Sequence, residues 1–117
     1  MFSKLLLIGL AGGLGTILRY VVQKNLNTSY PLGTFAVNIV GCLLAGIAFG
    51  FFSRNGQEQK QLILLTGFCG GFTTFSSFTV EGIQMMQEHR WMSFIIYTAA
   101  SVSLGLIASF IGFKITS

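Results

Sequence analysis

Charge is scarce in this sequence. Only 9% of its 117 residues are Asp, Glu, Lys or Arg, whereas charged residues make up about a quarter of a soluble domain. The chain also has a single proline, a single histidine and two cysteines. Each shortage excludes something. So few charges against 52% hydrophobic residues rule out a water-soluble fold and make lipid the solvent. No acid, base and nucleophile lie together within an apolar stretch, so the chain is not an enzyme. The two cysteines, Cys42 and Cys69, have no third Cys or His at metal-ligand spacing and read as small packing residues. The net charge of +4 comes from scattered Lys and Arg. No basic run interleaved with aromatics is present, which removes nucleic acid as a partner.

What is present is four apolar stretches, Leu5 to Gln23, Leu32 to Phe52, Leu62 to Met86 and Met92 to Phe113. Each is near or above the roughly 20 helical residues that cross a bilayer. The connectors Lys24 to Pro31, Ser53 to Gln61 and Gln87 to Trp91 are too short for another domain, so one membrane domain, residues 1–117, is expected. The first stretch follows Lys4 as a secretory signal would. It carries Arg19 inside it and lacks a small-x-small cleavage site, and is expected to be a retained helix.

Four spans place both termini and the central connector on one side, with Lys4, Arg54, Lys60 and Lys114. The other side has Lys24 and Arg90, and Arg19 if its helix end counts. Positive residues favour the cytoplasm, but so small a difference instructs weakly. Insertion in both orientations, with pairing into an antiparallel dimer, is therefore expected. A bundle of four helices fills its own centre with side chains, so any conduit should lie between chains. Small residues four apart, at Gly9 and Gly13, Gly46 and Gly50, Gly67 and Gly71, and Ser101 and Gly105, suit close helix packing.

The third stretch departs from a plain membrane helix. Thr66-Gly67-Phe68-Cys69-Gly70-Gly71-Phe72-Thr73-Thr74-Phe75-Ser76-Ser77-Phe78-Thr79 puts adjacent glycines and a hydroxyl run at mid-membrane depth. Unpaired backbone there costs several kcal/mol unless it lines something polar. The helix is expected to open near Gly70 to Thr74 and present bare carbonyls to an ion. Beyond the opening, Phe75 and Phe78 share a face. Their ring edges, which carry partial positive charge, could contact a small anion. Asn38 sits mid-span with Thr34, Gly41 and Ala45 on its face. Tyr97, Ser101 and Gly105 form a stripe along the fourth span. Glu81 is the only carboxylate inside a span and is expected to snorkel into a vestibule.

These segments resemble the Fluc (CrcB) fluoride channels over nearly the whole chain. Gly12-Gly13-Leu14-Gly15-Thr16-Ile17-Leu18-Arg19-Tyr20 is similar to the family's first-helix motif, and Gly33-Thr34-Phe35-Ala36-Val37-Asn38-Ile39-Val40-Gly41 to its second. Gly70-Gly71-Phe72-Thr73-Thr74-Phe75-Ser76-Ser77-Phe78 is similar to the Gly-Gly-x-Thr-Thr-Phe-Ser-Thr-Phe signature, with Ser77 in place of a common Thr. The resemblance implies an all-α membrane protein of four transmembrane helices, the third broken mid-membrane, in an antiparallel dual-topology dimer. It also implies fluoride-specific passive flow across the bacterial cell membrane, through pores at the subunit interface.

By motif position, Asn38, Phe75, Phe78, Tyr97 and Ser101 would line the fluoride pore, and Arg19 and Glu81 would face the vestibule. The carbonyls of Gly70 and Thr73 would hold a structural sodium ion. The partner would be a second copy of the chain, or a paralogue, inserted the other way up. A small multidrug exchanger also has four short spans, but it needs a carboxylate in its first helix, where this chain has Arg19 and no acid. A non-transporting membrane assembly protein would use the glycine pairs but leave the broken third helix without purpose.

Overall fold

The computed structural model describes residues 2–117, and those residues are almost entirely helical. Helix α1 runs Phe2–Leu26 and α2 runs Leu32–Arg54. The third span comprises α3, Glu58–Leu62, a π-helical stretch Ile63–Cys69, the short α4, Gly70–Phe72, and α5, Phe75–Gln87. Helix α6, Trp91–Thr116, closes the chain. The helices are long and apolar enough for four membrane crossings, Phe2–Leu26, Leu32–Arg54, Glu58–Gln87 and Trp91–Thr116. They run a few residues past the apolar stretches read from the sequence, because polar residues such as Lys24, Arg54 and Lys114 continue the last turns.

The chain buries little of its apolar surface. Val37, Ala48, Cys69, Phe72, Met85 and Tyr97 form the buried core, while Leu10, Ile17, Leu106 and Phe110 are exposed. In water such a surface would be untenable. Facing acyl chains or another copy of the protein, it is the expected exterior of a membrane helix.

Glycines let two helix pairs approach closely. A Cβ on Gly46 would overlap the Ser109 carbonyl, and one on Gly50 would overlap the Thr116 hydroxyl, so α2 and α6 meet backbone to backbone. Hydroxyls then bond across the seam, Ser109 Oγ to the Cys42 carbonyl at 2.9 Å and Thr116 Oγ1 to the Ile47 carbonyl at 3.1 Å. Helix α1 lies against the third span in the same way, since a Cβ on Gly71 would overlap the Gly12 carbonyl. This is how small residues act in membranes, where apolar burial gives no drive to associate. Gly9 and Gly13 have nothing within 4 Å of an added Cβ and face outward.

The connection from α1 to α2 is held by one side chain. Asn27 Oδ1 accepts from the N–H groups of Gly33 and Thr34 at 2.7 and 3.1 Å, capping the first turn of α2. The amide thereby joins the entrance of α2 to the polar cluster described below.

Candidate functional site

The interruption of the third span falls two residues later than its glycines suggest. Gly70 and Gly71 remain helical, and the chain opens at Thr73 (φ −85°, ψ 158°) and Thr74 (φ −149°, ψ 113°). Thr73 still obeys the helix, its N–H and its hydroxyl both bonding the Cys69 carbonyl at 2.9 and 2.8 Å. Thr74 is captured by α2. Asn38 Oδ1 accepts the Thr74 N–H at 2.7 Å, and Asn38 Nδ2 donates to the Thr74 carbonyl at 3.1 Å. Thr74 then starts α5 as its N-cap, its Oγ1 accepting from the Ser77 N–H at 3.1 Å.

These substitutions strip two carbonyls of their helical donors. The N–H that would serve Gly70 is on Thr74 and goes to Asn38; the one that would serve Thr73 is on Ser77 and goes to Thr74 Oγ1. The Gly71 carbonyl lies between them in the chain and is taken by Arg19 Nε at 3.0 Å. Arg19 therefore points at the break as well as along its own helix, where Nη1 donates to Gln23 Oε1 at 3.1 Å.

An open cavity of about 410 Å³ adjoins the break and brings together Asn38, Gly70, Thr73, Phe75, Phe78 and Ser101. Phe75 is 76% exposed. Its ring lies 5.7 Å from that of Phe78, which in turn lies 5.1 Å from the ring of Tyr97. The Ser101 hydroxyl is buried and has no hydrogen-bond partner. An orphaned buried hydroxyl costs about 1–3 kcal/mol unless something in the cavity accepts its proton.

A second cavity of about 380 Å³ is lined by Asn27, Glu81, Glu88 and Arg90 among others; Tyr97 lines neither of the two but contacts a residue of each. Its ring meets Phe78, and its hydroxyl donates to Glu81 Oε1 at 2.9 Å. The other oxygen of Glu81 accepts from Thr34 Oγ1 at 2.7 Å and from Asn27 Nδ2 at 3.3 Å. Glu81 is half-buried and lines the second cavity, with three side-chain donors from three elements holding its carboxylate in place there. Thr34 was read from the sequence only as a neighbour of Asn38. Gln23 and Asn27 were not singled out at all, though Gln23 stands one turn from Arg19, a spacing that pairs side chains on a helix.

Chemically, the arrangement offers an unpartnered hydroxyl at Ser101, a second amide hydrogen at Asn38 and the rings of Phe75 and Phe78 around one cavity, beside backbone carbonyls freed from their helix. The first set suits an anion and the second a hard cation.

The chain is similar to known proteins over nearly its whole length. A family model described as "CrcB-like protein, Camphor Resistance (CrcB)" matches residues 6–113. The chain's relatives include proteins named "Fluoride-specific ion channel FluC". One from Flavobacterium psychrophilum is 43% identical over 111 residues, 90% of each chain. One from Nitratidesulfovibrio vulgaris is 42% identical over 116 residues, 94% of each. One from Azobacteroides pseudotrichonymphae is 37% identical over 122 residues, 99% of this chain and 98% of the other.

Proposed function

The chain belongs to the CrcB family, and from that premise we propose that it is a fluoride-specific ion channel of the bacterial cell membrane that lets the ion flow passively out of the cell. The observation that carries this reading is the buried, unpartnered Ser101 hydroxyl in a cavity shared with Phe75, Phe78 and Asn38. Fluoride is small and strongly hydrated. A narrow route must replace its water with hydroxyl protons, amide protons and ring edges, yet bind weakly enough to release it.

On this reading fluoride crosses the cavity past Ser101 and the rings of Phe75 and Phe78. The Asn38 amide has one hydrogen committed to Thr74 and a second left for the ion. Tyr97 hands the ion to the mouth lined by Glu81. The chain has no nucleotide-binding sequence and no acid in its first span, so nothing couples flow to an energy source.

The functional unit is a dimer with a second copy, or a paralogue, inserted in the opposite orientation. The exposed Phe75 ring and the outward Gly9 and Gly13 supply contact surface, and the near balance of basic residues permits both insertions. The Gly70 and Thr73 carbonyls suit a structural sodium ion, since both lack their helical donors and both line the cavity. The corresponding carbonyls of both chains would hold it, and such an ion would neutralise backbone dipoles that lipid cannot solvate. Liposomes holding only this purified chain, loaded with fluoride and read with a fluoride electrode, test the proposal. Rapid fluoride release with no matching chloride release is expected, and no release above empty liposomes would overturn it.

A further inference from the structure

One chain of hydrogen bonds has a single consistent direction for its protons. Arg19 can only donate. The atom of Gln23 lying 3.1 Å from its Nη1 is therefore Oε1, which turns Gln23 Nε2 toward Thr34 Oγ1 at 2.9 Å. Main-chain N–H groups also only donate, so Gly33 and Thr34 fix Asn27 Oδ1 and leave Asn27 Nδ2 facing Thr34 Oγ1 and Glu81 Oε2, both at 3.3 Å. With two donors aimed at its oxygen, Thr34 has one place for its own proton: Glu81 Oε2, 2.7 Å away.

We infer that Gln23 is a positioning residue of the ion pathway, which acts through Thr34 and never on the ion. Its amide holds the Thr34 proton on Glu81, and through Arg19 it ties the Glu81 and Tyr97 pair to the Gly71 carbonyl at the break of the third span. The inference rests on the fluoride-channel reading and deepens it.

The consequence concerns Tyr97. Its hydroxyl proton lies on Glu81 and must turn away from the carboxylate to meet a passing anion. It can do so at low cost only while Thr34 and Asn27 keep Glu81 satisfied. Without the Gln23 amide, only Asn27 Nδ2, at 3.3 Å, still fixes the Thr34 oxygen, and the hydroxyl is aimed less firmly at Glu81. Glu81 is then less well satisfied, holds Tyr97 more tightly, and the anion meets a weaker proton donor on its route. Arg19 and Gln23 stand on α1, so a helix that contributes no residue to the cavity still sets the polarity of the route.

The test uses initial fluoride efflux rates from liposomes holding the full chain, with Gln23→Met and Gln23→Glu. Glutamate keeps an oxygen for Arg19 but has no donor for Thr34, which separates lost polarity from lost helix packing. Both variants should slow efflux about tenfold, the effect of one charge-assisted hydrogen bond. In a Tyr97→Phe background, neither should slow it further, because the hydroxyl they act on is gone. A merely structural Gln23 would give the same factor in both backgrounds, and that result overturns the inference. So does an unmodified rate in Gln23→Glu. If the unmodified chain releases no fluoride, the channel reading itself fails and the inference fails with it.

Discussion

Asn38 and Thr74 exchange two hydrogen bonds across α2 and the third span, the amide reproducing for one residue both contacts that a continuing helix would have made. Because the amide takes over the Thr74 N–H, the Gly70 carbonyl loses its donor, so a side chain on one helix creates the vacancy on another.

The first prediction concerns Asn38→Leu, which is close to isosteric but can neither donate nor accept. It leaves the Thr74 N–H and carbonyl unpaired, at about 1–3 kcal/mol each. The melting temperature should fall, and fluoride efflux should nearly cease. In the unmodified protein, replacing sodium by a bulky organic cation should also lower the melting temperature. Asn38→Leu should lose that sensitivity, because the carbonyls no longer converge. Thermal melts in both salts check this; an unmodified chain indifferent to sodium would refute the cation site.

A second prediction exploits the orphan on α6. If Ser101 only packs, Ser101→Ala removes a buried group without a partner and should be neutral or slightly stabilising. If its proton serves fluoride, the same variant should keep its melting temperature while efflux falls about tenfold, the size of one hydrogen bond to a charged species. Melts and efflux on one preparation give both numbers, and unchanged efflux would remove Ser101 from the route.

Much of this site was legible in the sequence, because membrane helices make polar residues conspicuous. Asn38, Tyr97 and Ser101 stood out against apolar neighbours, and the hydroxyl run after Gly70-Gly71 announced a break. The exact place of the break was not legible. Gly71 suggested local flexibility, but its role is contact: a Cβ there would overlap the Gly12 carbonyl of α1. The opening is set at Thr74 by a side chain 36 residues away, which no local pattern encodes. The π-helical turns at Ile63–Cys69 likewise left no mark. The donors that hold Glu81 were hidden for the same reason, since Thr34, Asn27 and Tyr97 come from elsewhere in the chain.

A third prediction follows from the distribution of basic residues. With Lys4, Arg54, Lys60 and Lys114 on one side and Lys24, Arg90 and the Arg19 helix end on the other, neither orientation is strongly preferred. A reporter fused to the C-terminus should be detected on both faces of the membrane. Adding two lysines to the connector after Arg54 should drive it to one face and abolish efflux by the chain alone, because oppositely inserted partners disappear. Detection on a single face without that change would point to a paralogue as the partner.

The last prediction separates the two rings that share the cavity. Phe75 is 76% exposed and makes one ring contact, so Phe75→Ile should cost the protomer at most that contact, about 0.5–1.5 kcal/mol. Phe78 touches the rings of both Phe75 and Tyr97, and such contacts contribute about 0.5–1.5 kcal/mol each, so Phe78→Ile should lower the melting temperature measurably. Efflux should nevertheless fall sharply in both, because an aliphatic side chain of similar bulk presents no positively polarised edge to the anion. Phe110 is 60% exposed and lines neither the cavity at the break nor the one beside Glu81, so Phe110→Ile should change nothing. Loss of efflux in Phe75→Ile with little loss of stability and with the dimer preserved is the decisive result, since packing then cannot account for it. Should both Phe75→Ile and Phe78→Ile carry fluoride at the unmodified rate, the rings are walls only, and coordination falls to the Asn38 amide and the hydroxyls of Tyr97 and Ser101.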